Sequence, residues 1–358
     1  MQLLIDPKPP LLNWRQYTAR GFKAGQCAAD ADWFDIAGCR TDRRNRAISV
    51  SYRLRHGGDL ICRPAARVTP ELLDLVRGTI RDSPEYNGLT YKVMRQMLRL
   101  LPEADHILLC DTAFFTGLPA ESSGYAVPPV LYSRGIKRYG GDGLTHQWAW
   151  WKVQKLCGKT AAKVISVQLG DHPNMAAIEN GRPLDTTIGF TPVEGLPSHS
   201  SCGDIDASVV FELQAAGLSL GEINELLSER SGFRGLTGKP CGFSDLLAAP
   251  EEDTQKDLAK KILSYTIMRN IGAFAALLGG AEALVFVTAE PEKTAAFIAD
   301  ICRGLGFMGL KCRFPGVKRG DDLELSDRKS GVRVLVLKDD IWNIMAQHVK
   351  NAVQEELV

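Results

Sequence analysis

Short runs of apolar residues alternate with amphipathic, helix-like stretches through most of the chain. Apolar runs of strand length occur at residues 47–55, 106–111, 164–169, 283–288 and 332–337. Helical spacing is found at residues 70–76 and 341–357, where apolar positions recur every three to four residues. An alternation of strand and helix patterns is typical of α/β proteins, so we expect an α/β fold.

The second half has the clearest element boundaries. Residues 164–169, 175–179 and 182–186 predict a three-stranded meander, with Asn180-Gly181 as the tight turn between the last two strands. Ser219 is in position to cap a helix. A longer helix is predicted to end at Gly279-Gly280. Its apolar stripe consists of Ile267, Ile271, Phe274 and Leu278.

The length of 358 residues predicts two domains, at roughly 100 to 200 residues each. We place the boundary near residues 147–153, where three tryptophans in WAWWKV are typical of a packed helix or a domain junction. The predicted domains are residues 1–148 with the C-terminal helix 341–358, and residues 149–340.

Composition narrows the partners and the compartment. The net charge of +1 gives no electrostatic reason to expect nucleic acid or an anionic membrane. The start of the chain lacks a signal-peptide pattern, and no apolar run approaches the roughly 18 residues of a membrane span. We expect a cytoplasmic protein whose partner is a small molecule or another protein. The nine cysteines include no C-x-x-C pair for a metal, so we expect reduced thiols that pack in the core.

Six stretches carry a resemblance to a known family. They are SYRLRHGGD, ILLCDTAFF, GIKRYGGDGLTH, ENGRPLDTTIGFTPVEGL, CGDID and LSLGEINELLSERSGFRGLTG. In order and spacing they resemble segments of acetate kinase and its propionate and butyrate relatives. The chain is identified as a member of that family, which belongs to the superfamily of sugar kinases, heat-shock ATPases and actin. The matching segments extend from about residue 51 to residue 337.

The resemblance implies two duplicated actin-like, ribonuclease H-like ATPase domains with a cleft between them. The N-terminal domain would hold the acyl substrate, a small carboxylate or related metabolite, and the C-terminal domain would hold the nucleotide; the cofactors implied are ATP and Mg²⁺. It also implies a homodimer joined through the second domain. A kinase of this kind needs cationic or neutral donors around the transferred phosphoryl group, because negative charge accumulates on its oxygens.

Two residues match the family's catalytic positions. Arg53 lies where the family has an arginine that holds the substrate, and a guanidinium suits bidentate binding of carboxylate or phosphate. Asp111 matches an aspartate assigned to magnesium or acyl positioning. A structural ion pair is the alternative interpretation of each residue.

Two other family positions have changed to carboxylates. A histidine that donates to the phosphoryl group is replaced by Asp142, and an asparagine is replaced by Asp171. A carboxylate only accepts hydrogen bonds and repels an anion. At about 4 Å and an effective dielectric of about 20, such a contact costs about 4 kcal/mol, or roughly a thousandfold in rate.

The nucleotide and acyl positions have changed as well. An arginine is replaced by Ser201, a D-M-R triplet by residues 242–244, a glycine loop by residues 288–293, and a valine of the acyl pocket by Arg55. The opening phosphate loop is replaced by residues 6–10. The candidate site residues are therefore Arg53, Asp111, Asp142 and Asp171 for catalysis, Arg53, Arg55 and Pro192 for the substrate, Asp171, Ser201 and Gly242 for the nucleotide, and Asp111 and Asp340 for the metal.

Three hypotheses follow from these changes. The first is a catalytically impaired kinase or pseudokinase with a binding or regulatory role. The second is a divergent enzyme, or a metal- or metabolite-binding protein, that uses the same polar residues in the cleft on another ligand, because clustered carboxylates suit a divalent metal or an amine. The third is a weak carboxylate kinase whose missing contacts come from elsewhere in the chain.

Overall fold

A computed structural model of the chain describes residues 2–8, 11–18, 21–28, 49–157, 161–249, 252–313 and 322–355. The chain forms two compact units. Unit 1 comprises Met1–Thr116, Gly141–Leu144 and Asp340–Val358, and unit 2 comprises Gly117–Gly140 and Thr145–Asp339. The domain division given above stays a prediction.

The described residues form twelve strands and twelve α-helices. The strands are β1 (Gln2–Lys8), β2 (Leu11–Thr18), β3 (Gly21–Ala28), β4 (Ser49–Leu54), β5 (Ala65–Arg67), β6 (Asp105–Cys110), β7 (Lys163–Leu169), β8 (Asn174–Glu179), β9 (Arg182–Thr186), β10 (Ala283–Thr288), β11 (Leu323–Glu324) and β12 (Arg333–Lys338).

The helices are α1 (Pro70–Gly78), α2 (Pro84–Leu100), α3 (Ala120–Ser123), α4 (Pro129–Tyr132), α5 (Gly143–Cys157), α6 (Ser208–Ala215), α7 (Leu220–Glu229), α8 (Gly232–Thr237), α9 (Phe243–Leu247), α10 (Thr254–Leu278), α11 (Pro291–Arg303) and α12 (Ile341–Glu355). Three short 3₁₀ segments occur at Thr79–Asp82, Thr112–Gly117 and Gly306–Met308. None of the helices in the described ranges is long and apolar enough to cross a membrane.

The two units contain sheets of the same topology. In unit 1 the strand order is β3-β2-β1-β4-β6-β5, and in unit 2 it is β9-β8-β7-β10-β12-β11 when read from the corresponding edge. Each sheet begins with an antiparallel meander, continues with two strands parallel to the first, and ends with an antiparallel edge strand. The predicted α/β class with duplicated domains is confirmed.

Each unit has its own apolar core. In unit 1 the core contains Leu3, Ile5, Tyr52 and Leu108, all at most 2% exposed. In unit 2 the strands β7, β10 and β12 contribute the centre, and α10 covers it with the stripe predicted from its spacing. All six residues of β10 are buried, as expected for a central parallel strand.

Several predicted boundaries are confirmed by their local geometry. Asn180 and Gly181 have φ values of 50° and 80°, the left-handed conformations that a type I′ hairpin turn requires. Ser219 and Glu222 form a reciprocal capping box at the start of α7. Helix α10 ends at Gly279, which is left-handed with φ 61°. Residues 47–48 of the first predicted strand and residues 356–357 of the terminal helix lie outside the described residues.

Candidate functional site

Four charged residues lie at the carboxyl ends of the parallel strands of unit 1. Asp6 is in β1, Arg53 is in β4 with Arg55 just beyond it, and Asp111 follows β6. Ile5 pairs with Tyr52, and Leu54 pairs with Cys110, so these strand ends are in register. Carboxyl ends of adjacent parallel strands meet at one edge of a sheet, where α/β proteins commonly bind ligands.

A fifth residue, Asp142, comes from the turn before α5. Its φ of 48° is left-handed, a conformation that aspartate tolerates better than most residues. The next residue, Gly143, packs so closely that a β-carbon there would lie 2.1 Å from the carbonyl oxygen of Asp111. Only glycine fits at that point, and the contact fixes Asp142 beside the strand ends.

Arg53 is bound by three carboxylates. Its Nε and Nη2 donate to the two carboxylate oxygens of Asp111 at 3.0 and 3.1 Å, a bidentate arrangement. Nη2 also donates to Asp142 Oδ1 at 2.9 Å, and Nη1 lies 3.6 Å from Asp6 Oδ1. The guanidinium therefore faces a carboxylate with each of its three nitrogens.

Arg55 is bound by the same carboxylates. Its Nη1 donates to Asp142 Oδ1 at 2.9 Å and to Asp111 Oδ2 at 3.4 Å. Its Nη2 lies 3.9 Å from Asp6 Oδ1. The guanidinium also lies 5.7 Å from the centre of the Tyr86 ring, a cation–π contact. We call these five charged residues, Asp6, Arg53, Arg55, Asp111 and Asp142, the Arg–Asp cluster.

The interior of the Arg–Asp cluster is closed to solvent. The side chains of Asp6 and Asp111 are each 1% exposed and that of Arg53 is 4% exposed, whereas Arg55 at 25% and Asp142 at 14% form its rim. Burial by itself would lower the pKa of Arg53, but Asp111, Asp6 and Asp142 together raise it above its ordinary value. Arg53 is therefore held in its charged form by its own carboxylates.

The cluster holds one more carboxylate than guanidinium groups. With every group ionised, three aspartates and two arginines give a formal charge of −1, and the exposed Lys8, whose Nζ lies 3.8 Å from Asp6 Oδ2, brings the local total to zero. Both carboxylate oxygens of Asp6 are buried without a hydrogen bond, as is Nε of Arg55. A buried polar atom without a partner costs about 1–3 kcal/mol. The spare hydrogen-bonding capacity of the cluster therefore lies mainly in acceptors.

The predicted nucleotide residues lie in unit 2, where carboxylates already occupy backbone donors. Asp171 follows β7, and its Oδ1 accepts a hydrogen bond from the backbone N–H of Phe243 at 2.8 Å. The backbone N–H of Gly242 donates to Asp245 Oδ2 at 2.8 Å. An anionic ligand at the start of α9 would need these two backbone N–H groups as hydrogen-bond donors.

Ser201 is buried and hydrogen-bonds to Ser198 in the same loop. Ser201 is 6% exposed, and its hydroxyl lies 2.7 Å from that of Ser198. Beside this loop the rings of His172 and His199 pack edge to face, with centroids 4.5 Å apart. The backbone N–H of His199 donates to the carbonyl of Asp171 at 2.8 Å, which joins this loop to the end of β7.

The two remaining predicted residues lie apart from these groups of contacts. Pro192 is exposed in the loop that follows β9 of unit 2. In unit 1, Asp340 caps α12 by accepting from the N–H of Trp342 at 3.1 Å, and it lies 3.6 Å from Arg15. Asp111, the other predicted metal ligand, accepts hydrogen bonds from Arg53 and Arg55. The structure thus brings Arg53, Arg55, Asp111 and Asp142 together, and Asp171 with Gly242.

Two of the predicted nucleotide donors and two of the predicted carboxylates are already bound to other groups of the chain. Phosphate needs free N–H groups or cations, but the Gly242 and Phe243 amides are bound to carboxylates. A magnesium ion needs several oxygen ligands, but Asp111 and Asp142 are bound to arginines. Across the ranges that the structure describes, no group of three histidine, cysteine, aspartate or glutamate residues could hold a metal ion.

Comparison with known proteins gives concordant results. The model of the acetokinase family matches residues 33–347. Acetate kinase of Dictyoglomus thermophilum is 33% identical over 299 residues, which cover 82% of this chain and 75% of that protein. The chain belongs to the acetate kinase family.

Solved structures agree with the acetate kinase family at the level of fold. Acetate kinase of Porphyromonas gingivalis superposes with a TM-score of 0.86 at 23% identity, over 98% of this chain and 99% of the other. Acetate kinase of Entamoeba histolytica gives 0.88 at 19% identity, over 99% of each chain. The predicted two-domain, actin-like ATPase fold is thereby confirmed.

Sequence reasoning about the acetate kinase family missed two features of the sites. Asp6 was noted only as part of a replaced loop, because a charged residue after Leu3-Leu4-Ile5 does not indicate that a buried strand continues to Lys8. His172 and His199 are 27 positions apart in sequence, and nothing in their local pattern indicates that their rings meet.

Proposed function

We propose that this member of the acetate kinase family is a catalytically impaired kinase, or pseudokinase, that acts by binding and does not phosphorylate acetate. The single observation that carries the proposal is the Arg–Asp cluster. Every nitrogen of the Arg53 guanidinium faces a carboxylate of the chain itself, and Arg55 is bound by the same carboxylates. A substrate carboxylate would compete with three resident ones for two cations.

The competition is unequal for electrostatic reasons. An incoming acetate would add a negative charge beside three resident carboxylates, whose charges already balance those of the two arginines and the exposed Lys8. One uncompensated like-charge contact at about 4 Å costs about 4 kcal/mol at an effective dielectric of about 20. The resident aspartates are also held by the fold, so they lose no translational freedom on binding arginine, whereas acetate does.

The loop around Asp171 in unit 2 supports the same proposal. A methyl group at Gly242 would lie 2.9 Å from Asp171 Oδ1, so this carboxylate packs directly against the backbone. Glu290 accepts from Ser244 Oγ at 3.1 Å and pairs with Lys293. Nucleotide phosphates would meet carboxylates at each of these positions.

The first expected result concerns nucleotide binding. Titration of the purified protein with magnesium-ATP, and separately with magnesium-ADP, should leave the melting temperature unchanged, because the N–H groups at Gly242 and Phe243 are occupied. A ligand at 100 times its dissociation constant would add about 2.7 kcal/mol to the stability of the native state. Differential scanning fluorimetry detects such an effect easily.

A matched variant makes this titration more informative. In Asp171→Asn the side chain keeps an acceptor oxygen for the Phe243 amide and loses the charge. A saturable nucleotide shift in the wild type would contradict the proposal, whether or not it increases in Asp171→Asn. Equal, flat responses in both proteins support it.

The second candidate function is a divergent enzyme or a metabolite-binding protein. The observation that favours it concerns Asp6. Its side chain is 1% exposed, and neither of its two carboxylate oxygens accepts a hydrogen bond. Such acceptors suit a small ligand with N–H donors, such as a primary amine. A melting-temperature rise with an amine, abolished by Asp6→Asn, would favour this function over the first.

The same proposal includes a homodimer in the cytoplasm, formed through helix α6. This helix has no buried residue and a single charged residue, Glu212. Phe211 on it is 68% exposed, and Leu220 just beyond it is 66% exposed. Large apolar side chains exposed in one region of a surface commonly mark a protein–protein interface.

The second expected result therefore concerns the oligomeric state. The wild type should show twice the chain mass by size-exclusion chromatography with light scattering, and Phe211→Asp should shift it to the monomer. Phe307→Asp is the control, because Phe307 is 79% exposed at a different position and should leave the dimer intact. A monomeric wild type would contradict the proposed dimer.

A further inference from the structure

Helix α2 of unit 1 has an apolar inner face and a basic outer face. Val93 and Met97 are buried in the core of unit 1. Lys92, Arg95 and Arg99 are exposed on the opposite side of the helix. Residues at spacings of i, i+3 and i+7 lie along one line of a helix, so the three cations form a single row. We call Lys92, Arg95 and Arg99 the basic stripe.

The basic stripe borders a surface groove of about 440 Å³, a volume typical of binding pockets in proteins. Two half-buried residues of α2, Tyr91 and Leu100, add apolar surface to its lining. The guanidinium of Arg95 lies 5.7 Å from the centre of the Tyr91 ring, a cation–π contact that leaves its N–H groups free to donate. The groove therefore offers both cations and apolar contacts to a partner.

The described part of the chain supplies no anion to the basic stripe. None of the three cations forms an ion pair or a hydrogen bond with a residue that the structure describes. The single acidic residue of α2, Glu85, lies in the first turn, about 10 Å along the helix axis before Lys92. A solvated helix face commonly intersperses acids and bases, which stabilise one another at a spacing of i, i+4. Three unpaired cations in one row suit an external anion instead.

We propose that the basic stripe and its groove bind an acidic helix of a partner protein, with one carboxylate facing each of Lys92, Arg95 and Arg99. Tyr91 and Leu100 receive the apolar side chains beside those carboxylates. The observations that carry this inference are the unpaired cations, their helical spacing and the adjoining groove. The inference does not depend on the proposed function, because the basic stripe contains no member of the Arg–Asp cluster.

The spacing of the cations favours an acidic helix over a phosphate ligand. The basic stripe spans about 10 Å, and a helix that lies along it presents carboxylates at the same rise of about 1.5 Å per residue. Guanidinium groups bind carboxylates in a bidentate manner, which suits Arg95 and Arg99 to this partner. A single phosphate group would reach only part of the row. The backbone N–H groups in the interior of a helix are also unavailable to phosphate, because they are bonded within the helix.

Nucleic acid suits the basic stripe less well than an acidic helix does. Nucleic-acid affinity increases with the number of phosphates that a protein neutralises, because each contact releases counterions. Three cations on a chain with a net charge of +1 provide few such contacts.

Fluorescence anisotropy on the full-length protein tests the proposal. The probe is a fluorescein-labelled, helix-forming peptide with glutamates at spacings of i, i+3 and i+7, and the control peptide has glutamine at those positions. We expect saturable binding of the acidic peptide alone, with an affinity that decreases as salt is added. Lys92→Gln/Arg95→Gln/Arg99→Gln should raise the dissociation constant by at least about tenfold, because three ion pairs are lost. Arg99→Gln alone should give an intermediate value.

Arg63→Gln/Arg77→Gln/Lys155→Gln is the matched control, because it removes three exposed cations that lie outside α2. This variant should bind the acidic peptide as tightly as the wild type does. Both triple variants should keep the wild-type melting temperature, since all six side chains are exposed. The proposal is overturned if the acidic peptide does not bind, if the glutamine peptide binds equally well, or if the two triple variants weaken binding equally. Tighter binding of a single-stranded oligonucleotide with the same charge as the peptide would also overturn it.

Discussion

Replacing Arg53 with alanine should destabilise the protein by about 3–5 kcal/mol, because it leaves buried carboxylates without their main partner. Arg53 is 4% exposed and is bound by Asp111 and Asp142, with Asp6 at 3.6 Å. Removing one partner from a buried ion pair exposes the remaining charges to the full penalty of desolvation. Urea denaturation followed by circular dichroism, at pH 7 for wild type and variant, measures the effect.

Arg67→Ala provides the matched control for this measurement. Arg67 pairs with Asp105 at 2.8 Å on the same sheet, but the two side chains are 49% and 47% exposed. An exposed ion pair contributes about 0–1 kcal/mol. Equal losses of stability in Arg53→Ala and Arg67→Ala would show that the Arg–Asp cluster does not stabilise the folded protein more than an exposed ion pair does. Such a result would contradict the conclusion that the buried carboxylates depend on Arg53.

Lowering the pH from about 6.5 to about 4 should remove about 3 kcal/mol of stability through His348 alone. This histidine lies on α12, is 3% exposed, and its Nε2 is 3.2 Å from the carbonyl of Leu144. Burial lowers its pKa from 6.5 to about 4, with the Leu144 hydrogen bond acting in the opposite direction and Arg53 adding to the decrease.

The direction in which stability changes with pH follows from proton binding to His348 in the folded and unfolded states. Below the unfolded pKa of 6.5 the unfolded chain binds a proton, whereas folded His348 stays neutral until about pH 4. The stabilising contribution is therefore complete above pH 6.5 and decreases as the pH falls to 4. Because carboxylates also titrate in this range, the informative quantity is the difference between the pH profiles of wild type and His348→Gln.

We expect the His348→Gln profile to be flatter between pH 6.5 and 4 than that of the wild type, in thermal denaturation followed by circular dichroism. If the His348→Gln and wild-type profiles have the same slope, His348 is not the buried neutral group described here.

The fold could be predicted from the sequence wherever local signals agreed with the tertiary structure. Strands β7 and β10 are continuous apolar runs, and Asn180-Gly181 and Gly279 supply the left-handed conformations at which elements end. Strands β2 and β3 were missed. In β2 the polar Gln16 is 6% exposed, so burial there does not follow the apolar pattern on which the prediction relies.

The sequence predicted which residues form the candidate site, but it did not predict which of their side chains bind one another. Arg53, Arg55, Asp111 and Asp142 were identified individually, but only the structure shows that the ends of β1, β4 and β6 bring them together and that these carboxylates bind both arginines. Likewise, the loss of an asparagine at Asp171 predicted repulsion of phosphate, whereas the structure adds that Asp171 binds the Phe243 amide. Such long-range contacts leave no trace in local sequence patterns.

The most direct test of the central claim is an assay for acetyl phosphate. The purified protein at high concentration is incubated with magnesium-ATP, acetate and hydroxylamine, which traps acetyl phosphate as the hydroxamate, beside an active acetate kinase as positive control. We expect no product above that of the heat-denatured protein. Acetate- and magnesium-dependent hydroxamate that increases in proportion to enzyme would contradict it, and would mean that Arg53 can exchange its resident aspartates for substrate.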